Sequence, residues 1–297
     1  RDLAEASIQT ILDYWNPETE WDAARLEQQG IVFNDSGTFI SGVARTIGPL
    51  VKYYRSTGHA AALELALLLK EKAIGRYFTE DGSYDRELFG THAHSVTCTM
   101  SSLAQLADLT GDTPLMNRVK AFYDNGLWEM RDGIGWSIEG ASPESKRPDE
   151  GEMNNTGDIL ETALILGRWG YTEYYHDAER ILRCHLLPSQ LRDVSWIEAP
   201  ANPDGVDALT DVAGRIRGSF GFPAPFGHEP LEQECMRFNT DAVRRDRSPG
   251  QPALRLRDAS SEDRISLHPF YAVGAGEDAR TAVRPPAALG RPGGHAA

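Results

Sequence analysis

The stretch Leu106-Ala107-Asp108-Leu109-Thr110-Gly111-Asp112 ends an apolar helical run with a glycine, and a second apolar run begins within a few residues. Related phrases contain Gly58 and Gly170, so the three glycines lie 53 and 59 residues apart. The residue that follows a helix often has a left-handed backbone, which glycine adopts without strain. A recurring period of this length indicates stacked units, each a helix, a glycine turn and a returning helix. The sequence therefore predicts an all-α fold made of αα-hairpins.

The helical periodicity accounts for about eight or nine helices, and no convincing run of alternating residues predicts a β-sheet. A closed ring of six αα-hairpins needs about twelve helices by the same stacking. We therefore predict an array of the (α/α)6-toroid type with an incomplete ring, extending over residues 1–243. Within it, one continuous helix is predicted from about Thr38 to Ser56, and a last short helix near 231–243.

The two ends of the chain differ from this pattern. Residues 244–297 contain nine arginines, six prolines and no lysine, and the helical periodicity stops there. Two interpretations stay open: a disordered tail, or an out-of-frame translation of a GC-rich gene. Under both, we expect no chemistry from this segment. The chain begins with Arg1, and we expect an upstream portion, with any targeting signal, to precede it.

The composition excludes several classes of partner. Acidic residues outnumber Lys and Arg by 44 to 30, giving a net charge of -14 and a pI near 5.0. This charge disfavours nucleic acids, whose phosphates require a basic surface, as well as anionic membrane surfaces, and no apolar run is long enough to span a membrane. It permits neutral small molecules and sugars. The three cysteines are odd in number and far apart, which favours a reducing compartment and predicts a cytoplasmic location.

The longest irregular stretch, residues 126–153, is the best candidate for a functional loop, since long ordered loops in compact domains usually carry function. Hydrolysis of a glycosidic bond requires two carboxyl groups, and Glu139 and Glu152 lie in or beside this stretch, with Asp158 in the helix that follows. Because the chain contains 44 acidic residues, however, the position of any single carboxylate in this stretch is weak evidence for a catalytic role. Trp136 is a candidate platform for a sugar face, or an ordinary packing residue.

His92-Ala93-His94 begins a predicted helix. Two histidines at this spacing do not share a helical face, so they do not form a helical metal pair. Either both point into the mouth of the hairpin array and bind substrate, or one is exposed and the other hydrogen-bonded. Cys235 is a candidate nucleophile or a buried inert thiol.

Several stretches resemble the β-L-arabinofuranosidase family, glycoside hydrolase family 127, and its uncharacterised relatives. The matching stretches are His94–Val96, Leu106–Asp112, Gly133–Gly140, Gly151–Asn154, Tyr174–Arg180 and Cys235–Asn239. The resemblance implies an (α/α)6 toroid followed by β-sandwich domains, a cysteine thiolate as nucleophile, a glutamate as acid/base, and a zinc ion held by one glutamate and three cysteines.

Carried over to this chain, the resemblance makes Glu139 the acid/base, Glu152 the zinc-binding glutamate and Cys235 the nucleophile, with His94 in contact with substrate. The helix N-terminus that follows Glu152 favours its ionised form, whereas an apolar surround beside Trp136 would raise the pKa of Glu139.

The sequence departs from the family at two zinc positions. Asn154 and Met236 stand where the family has cysteines, and both are poor replacements for a thiolate. We therefore predict no cofactor and no tightly bound structural zinc, although the resemblance makes zinc conceivable. The expected β-sandwich is also absent.

These observations predict a glycoside hydrolase-like domain that acts on oligo- or polysaccharides, with L-arabinofuranosides as the linkage type that the resemblance implies. Two alternatives stay open. One is a polysaccharide lyase on the same scaffold, with His94 or a tyrosine as the base. The other is an inactive fragment or a helical-repeat scaffold that only binds a partner.

Overall fold

A computed structural model describes residues 1–31, 37–140, 151–198, 200–222, 224 and 226–230, together with the backbone of 237–238. The predicted tail, residues 244–297, lies outside the described residues. No helix in the described part is both long enough and apolar enough to cross a bilayer.

The described residues are mostly helical, which confirms the all-α prediction. The α-helices are α1 Asp2–Tyr14, α2 Ala23–Gln28, α3 Ile47–Thr57, α4 Ala60–Arg76, α5 Arg86–Phe89, α6 Ala93–Thr110, α7 Thr113–Asp124, α8 Met153–Arg168, α9 Tyr174–Ile181 and α10 Val212–Ile216. Short 3-10 turns cover Val43–Thr46, Gly126–Glu129 and Asp207–Leu209, and a π-helical turn, Leu182–Leu186, extends α9.

The strands of the described residues are only two residues long. Strand β1 (Trp15–Asn16) pairs with β2 (Glu20–Trp21), and β3 (Gly221–Phe222) pairs with β4 (Arg237–Phe238), both antiparallel. They close local turns and do not form a layer.

Three hairpins form two layers of helices. The inner helices α3, α6 and α8 pack side by side with α6 in the middle, and the outer helices α4, α7 and α9 each pack on the inner helix that precedes them. This is the layering of an arc of an α/α toroid. Because α6 lies between neighbours on both sides, even its Ser95, Thr97 and Ser101 are buried.

The glycine turns end the inner helices at one end of the arc. Gly58 and Gly111 have left-handed backbones, with φ of 72° and 69°, and Gly170 has a φ of 105°. At the same end, Asp108 accepts hydrogen bonds from Arg55 at 2.8 Å and Arg168 at 2.6 Å. These residues lie near the C-terminal ends of α6, α3 and α8, so the three inner helices run in the same direction.

Two of the predicted helices require correction. The helix predicted from Thr38 to Ser56 is wrong in its first half, where a 3-10 turn precedes α3. Pro49 lies in the first turn of α3, where its missing N–H costs no helical hydrogen bond, whereas in the middle of a longer helix it would break one. In the helix predicted near 231–243, Arg237–Phe238 is instead strand β4, and the rest lies outside the described residues.

Candidate functional site

The site lies at the N-terminal ends of α6 and α8, opposite the glycine turns. His92 precedes α6, and its Nδ1 accepts a hydrogen bond from the backbone N–H of Ser95 at 3.3 Å. Glu139 lies in the irregular segment that follows the outer-layer helix α7, and its carbonyl accepts a hydrogen bond from the Ala93 N–H at 3.0 Å. The segment that carries Glu139 is thereby attached to the first turn of α6.

The segment that carries Glu139 is ordered by its own contacts. Asp132 Oδ1 accepts hydrogen bonds from the N–H groups of Ile134 and Trp136, which forms a tight turn. Ile138 then forms an antiparallel bridge with Gly151, one residue before Glu152. Glu139 and Glu152 each lie one residue from this bridge, and the alternation of side chains along paired strands places them diagonally on the same face, although the intervening residues 141–150 lie outside the described part.

The ring nitrogens of both histidines lie close to carboxyl groups of the site. His92 Nε2 lies 3.0 Å from Glu139 Oε1. His94 Nδ1 lies 3.6 Å from Glu152 Oε1, and His94 Nε2 lies 3.7 Å from Asp158 Oδ2. The structure therefore brings together five of the residues that the sequence singled out.

His92 is a neutral donor in this arrangement. Its partial burial lowers its pKa, and its Nδ1 already accepts a hydrogen bond from Ser95, so the proton belongs on Nε2. A neutral imidazole with this tautomer donates its Nε2–H to Glu139. His92 thus orients one oxygen of the Glu139 carboxyl group.

The carboxyl groups of Glu139 and Glu152 are in hydrogen-bonding contact. Glu139 Oε2 is buried and finds no donor among the described residues. Because a carboxylate only accepts, Glu152 can donate to Glu139 only in its protonated form. Two acidic groups this close do not both ionise readily, so the pair is expected to hold a proton between them.

Burial raises the pKa of both glutamates, to about 7 for Glu152. The contact with Glu139 raises the pKa of Glu152 further, while the charge of His94 and a 2.5 Å hydrogen bond from Asn154 Nδ2 act in the opposite direction. The expectation that the helix N-terminus keeps Glu152 ionised is therefore wrong at neutral pH, because burial outweighs the field of α8. The expected rise for Glu139 is present, with burial as its cause.

Trp136 lies beside the site and is only partly buried. Its indole packs against Gly151 and against the ring of Phe226, with 5.7 Å between the ring centroids. Its Nε1–H donates a hydrogen bond to the carbonyl of Ala224 at 3.4 Å. These contacts hold the bridge between Ile138 and Gly151 in place. The stacking of Trp136 against a sugar stays a prediction.

Asp158 lies deeper, one and a half turns into α8, and is buried. Its Oδ2 accepts a hydrogen bond from the Thr97 hydroxyl at 3.2 Å. Burial raises its pKa well above the usual range, and the nearby charge of Glu161 adds to the effect. Glu161 itself accepts hydrogen bonds from Ser101 at 2.6 Å and Gln105 at 3.0 Å, so the polar interior continues along α6 and α8.

Sequence reasoning missed three groups at this site. Cys98 lies one turn after His94 and joins it and Asp158 in one cluster. The positive charge of Arg45 acts on His92 and Glu139, and that of Lys52 acts on Asp158. The i, i+4 spacing of His94 and Cys98 could have indicated that both lie on one face of α6. Arg45 and Lys52 come from the preceding hairpin, and no local pattern connects them to the site.

The zinc site that the family resemblance implies does not fit the residues present. Asn154, at one of the cysteine positions, points its amide N–H at Glu152 Oε1 and so presents a donor where a metal would need an electron pair. Cys235, the predicted nucleophile, and Met236 lie outside the described residues.

Comparisons with known proteins leave the family open. No protein-family profile matches the chain, and no curated protein matches it. Among solved structures, the chain is similar to cellobiose 2-epimerase from Spirochaeta thermophila DSM 6192, at 20% sequence identity and a TM-score of 0.36. The alignment covers 52% of this chain and 45% of that protein, so it spans less than half of the epimerase. A similarity this low supports no conclusion about activity, and the β-L-arabinofuranosidase family is not identified.

Proposed function

We propose that the protein is a carbohydrate-active enzyme that cleaves glycosidic bonds by general acid–base catalysis. The contact between the carboxyl groups of Glu139 and Glu152 is the observation that carries this proposal. A pair of acidic groups that retains one proton near neutral pH supplies both an acid and a carboxylate at one place. The acidic charge of the chain favours neutral glycans as substrates.

The two glutamates have different roles in this proposal. Glu139 has the more exposed side chain, 20% against 7%, and its orientation is fixed by His92. We assign to Glu139 the transfer of a proton to the oxygen of the leaving sugar. In the resting pair Glu152 holds the shared proton near neutral pH and donates it to Glu139, so the proton passes from Glu152 to Glu139 as Glu139 protonates the leaving oxygen.

The pair is too close to act from two faces of the sugar. Carboxyl groups of retaining glycosidases are about 5–5.5 Å apart and those of inverting enzymes about 6.5–9.5 Å, whereas Glu139 and Glu152 are in contact. We therefore place both on the proton-transfer side, and this replaces a two-carboxylate mechanism in which Glu152 or Asp158 is the partner. The nucleophile is then a water molecule or Cys235, as the family resemblance implies.

The experiment is a screen of the full chain on nitrophenyl glycosides, including α- and β-L-arabinofuranosides, and on plant and microbial polysaccharides. We expect release of nitrophenol or of new reducing ends, strongly reduced in Glu139→Gln. Glu80→Gln is the matched control, because Glu80 is exposed and forms its ion pair with Arg118, which is not part of the site. Equal rates in Glu139→Gln and wild type, or no turnover of any substrate, would refute the proposal.

A polysaccharide lyase is the second candidate, and Arg45 favours it. A lyase requires a positive group to neutralise the carboxylate of a uronate next to the abstracted proton. Arg131, in the irregular stretch 126–153, is buried against Tyr123 and Asp177, whereas the charge of Arg45 reaches His92 and Glu139. In the same screen, a lyase would convert uronate-containing polysaccharides into an unsaturated product that absorbs in the ultraviolet. The masses of its products would sum to that of the substrate, because no water is added.

A further inference from the structure

We propose that His94, Cys98 and Asp158 form a binding site for a divalent cation of the zinc type. One ligand atom from each of these side chains lies within 4.8 Å of the other two. This site goes beyond the proposed function and does not depend on it. It also shares no residue with the zinc site that the family resemblance implies.

The three residues are placed for binding by two neighbouring helices. His94 and Cys98 are four residues apart on α6 and therefore lie on the same face of that helix. Asp158 projects from the adjacent helix α8, with its Oδ2 at 3.7 Å from His94 Nε2. Because Zn–N, Zn–O and Zn–S bonds are about 2.0–2.3 Å, a tetrahedral zinc ion separates its ligand atoms by about 3.4–3.6 Å. A small side-chain movement closes the remaining gap.

The ligand types match zinc chemistry. An imidazole nitrogen, a thiol sulfur and a carboxylate oxygen are the three donor types that zinc prefers. Three protein ligands leave a fourth tetrahedral position open, as in catalytic rather than structural zinc sites. Hard cations such as Mg²⁺ and Ca²⁺ require mostly oxygen ligands and would gain nothing from Cys98.

The surroundings contain polar neighbours of the kind that support metal sites. A metal-bound histidine typically directs its other ring nitrogen at a carboxylate, which fixes the tautomer and orientation of the ring. His94 Nδ1 faces Glu152 Oε1 at 3.6 Å while its Nε2 faces Asp158. The Thr97 hydroxyl likewise donates to Asp158 Oδ2. The proposed ligands are thus held by neighbours on both helices.

The local charge also favours a cation. Asp158, Glu152 and Glu161 are all at most 7% exposed, and the Coulomb interactions of Asp158 with the other two are unfavourable. Burying several carboxylates together is costly unless a positive charge compensates them. Lys52 contributes part of that compensation, and a divalent ion at Asp158 would contribute far more.

A neighbouring cluster, His92, His94 and Glu152, also satisfies the distance requirement, but its geometry is less suitable. His92 Nε2 is engaged with Glu139 at 3.0 Å, and its Nδ1 is engaged with the Ser95 hydroxyl at 2.6 Å. Metal binding there would break one of these two contacts of His92. We therefore place the ion at Cys98 and Asp158.

The experiment uses Co²⁺ as a spectroscopic probe in place of zinc. The full chain is purified, treated with a chelator, dialysed and titrated with Co²⁺ alone. A cobalt–thiolate bond gives an intense near-ultraviolet charge-transfer band, and tetrahedral coordination gives strong visible bands. Competition with Zn²⁺ then gives the zinc affinity. None of these measurements requires a substrate or an active enzyme.

Three variants make the test specific. Cys98→Ser is expected to abolish the charge-transfer band and to weaken Co²⁺ binding at least 10-fold. Cys184→Ser, which alters an exposed cysteine, is the matched control and should bind as wild type does. Asp158→Asn should retain the charge-transfer band at high Co²⁺ concentration while weakening binding. Circular dichroism of each variant without metal verifies that the helices are intact.

Two results would overturn the proposal. One is a wild-type protein that binds Co²⁺ without stoichiometry or without a charge-transfer band. The other is loss of the band in Cys235→Ser with an unchanged spectrum in Cys98→Ser, which would locate the metal at the residues implied by the family resemblance. The expectation of no tightly bound zinc considered only those residues and not Cys98.

Discussion

The two ends of the inner helices contain charged residues that are paired in opposite ways. At the C-terminal ends, Asp108 lies between Arg55 and Arg168 and also accepts a hydrogen bond from Trp169 Nε1 at 3.1 Å. At the N-terminal ends, the acidic groups face one another, as the contact between Glu139 and Glu152 shows.

This difference separates a structural from a functional use of charge. At the glycine turns, Asp108 between Arg55 and Arg168 holds three hairpins in register, and its carboxylate accepts hydrogen bonds from both arginines. Acidic groups packed against one another and buried destabilise the fold unless a proton, a cation or a substrate compensates them. The comparison predicts that substitutions at the two ends affect different properties of the protein.

The largest expected effect is on catalysis at the N-terminal end. Removal of a general acid typically costs about 10²–10⁴ in rate, so Glu139→Gln should lower the rate of glycan cleavage by that factor. Its melting temperature should stay unchanged or rise, because a buried acidic group is replaced by a neutral amide. Asp108→Asn, at the opposite end, is the matched control and should retain the wild-type rate. A rate loss of equal size in both variants would show that the ends do not differ as proposed.

The second prediction concerns pH and is made in the presence of a chelator. Burial raises the pKa of Glu152 from 4.5 to about 7, so the folded state binds more protons than the unfolded chain between these values. Its contribution to the free energy of unfolding is complete below pH 4.5 and is lost as the pH rises through 7. We expect a loss on the order of 1–3 kcal/mol, largely absent in Glu152→Gln, as measured by urea unfolding across this range.

Asp108 should respond to pH in the opposite direction. Its burial opposes ionisation, but hydrogen bonds from Arg168 and Arg55 outweigh this effect and lower its pKa below 3.8. Its contribution is present above that pH and is lost as the pH falls below it.

The prediction for Glu152 has a clear contrary outcome. If acidification between pH 7 and 4.5 destabilised the wild type but not Glu152→Gln, the raised pKa assigned to Glu152 would be wrong.

The third prediction is a moderate loss of stability at the C-terminal end. Asp108→Ala removes three hydrogen bonds, two of them to arginines that are about half exposed. Exposed ion pairs contribute little and buried hydrogen bonds about 1 kcal/mol, so the free energy of unfolding should fall by about 1–2 kcal/mol. The measurement is chemical unfolding at pH 7. No change would mean that the hairpins are held in register by apolar packing alone.

The smallest expected effect is at the glycine turn itself. Gly111 has a φ of 69°, and a Cβ at this position would meet open space. The cost of Gly111→Ala is therefore backbone strain alone, about 1 kcal/mol. Gly75→Ala, in the last turn of helix α4 and also facing open space, is the control and should be neutral or stabilising.

Much of the fold could be predicted because its signals are local. The glycine phrases locate the ends of α3, α6 and α8 to within two residues of Gly58, Gly111 and Gly170. The failure at α3 also has a local cause, since Pro49 restricts the residues before it and was not weighed against the apolar periodicity. Arg237–Phe238 pairs with residues some 16 positions away, and no short-range pattern reports such a contact.

The site was only partly accessible to sequence reasoning. Glu139 and Glu152 stand out in an irregular loop and in the family resemblance, but their contact depends on the bridge between Ile138 and Gly151. That bridge is a long-range backbone pairing with no signature in either segment. Cys98 and Asp158 lie 60 residues apart on two helices and meet only because α6 and α8 pack side by side.

The most direct test of the central claim is a titration of the two carboxyl groups by NMR, with ¹³C-labelled glutamate in the metal-free protein. Signals of Glu139 and Glu152 are assigned from Glu139→Gln and Glu152→Gln. We predict coupled titration in two steps, with one apparent pKa near 7 and a lower pKa for Glu152 when Glu139 is replaced. Independent titration of both near 4.5, unchanged by either substitution, would contradict the proposed carboxyl pair and the acid–base function built on it.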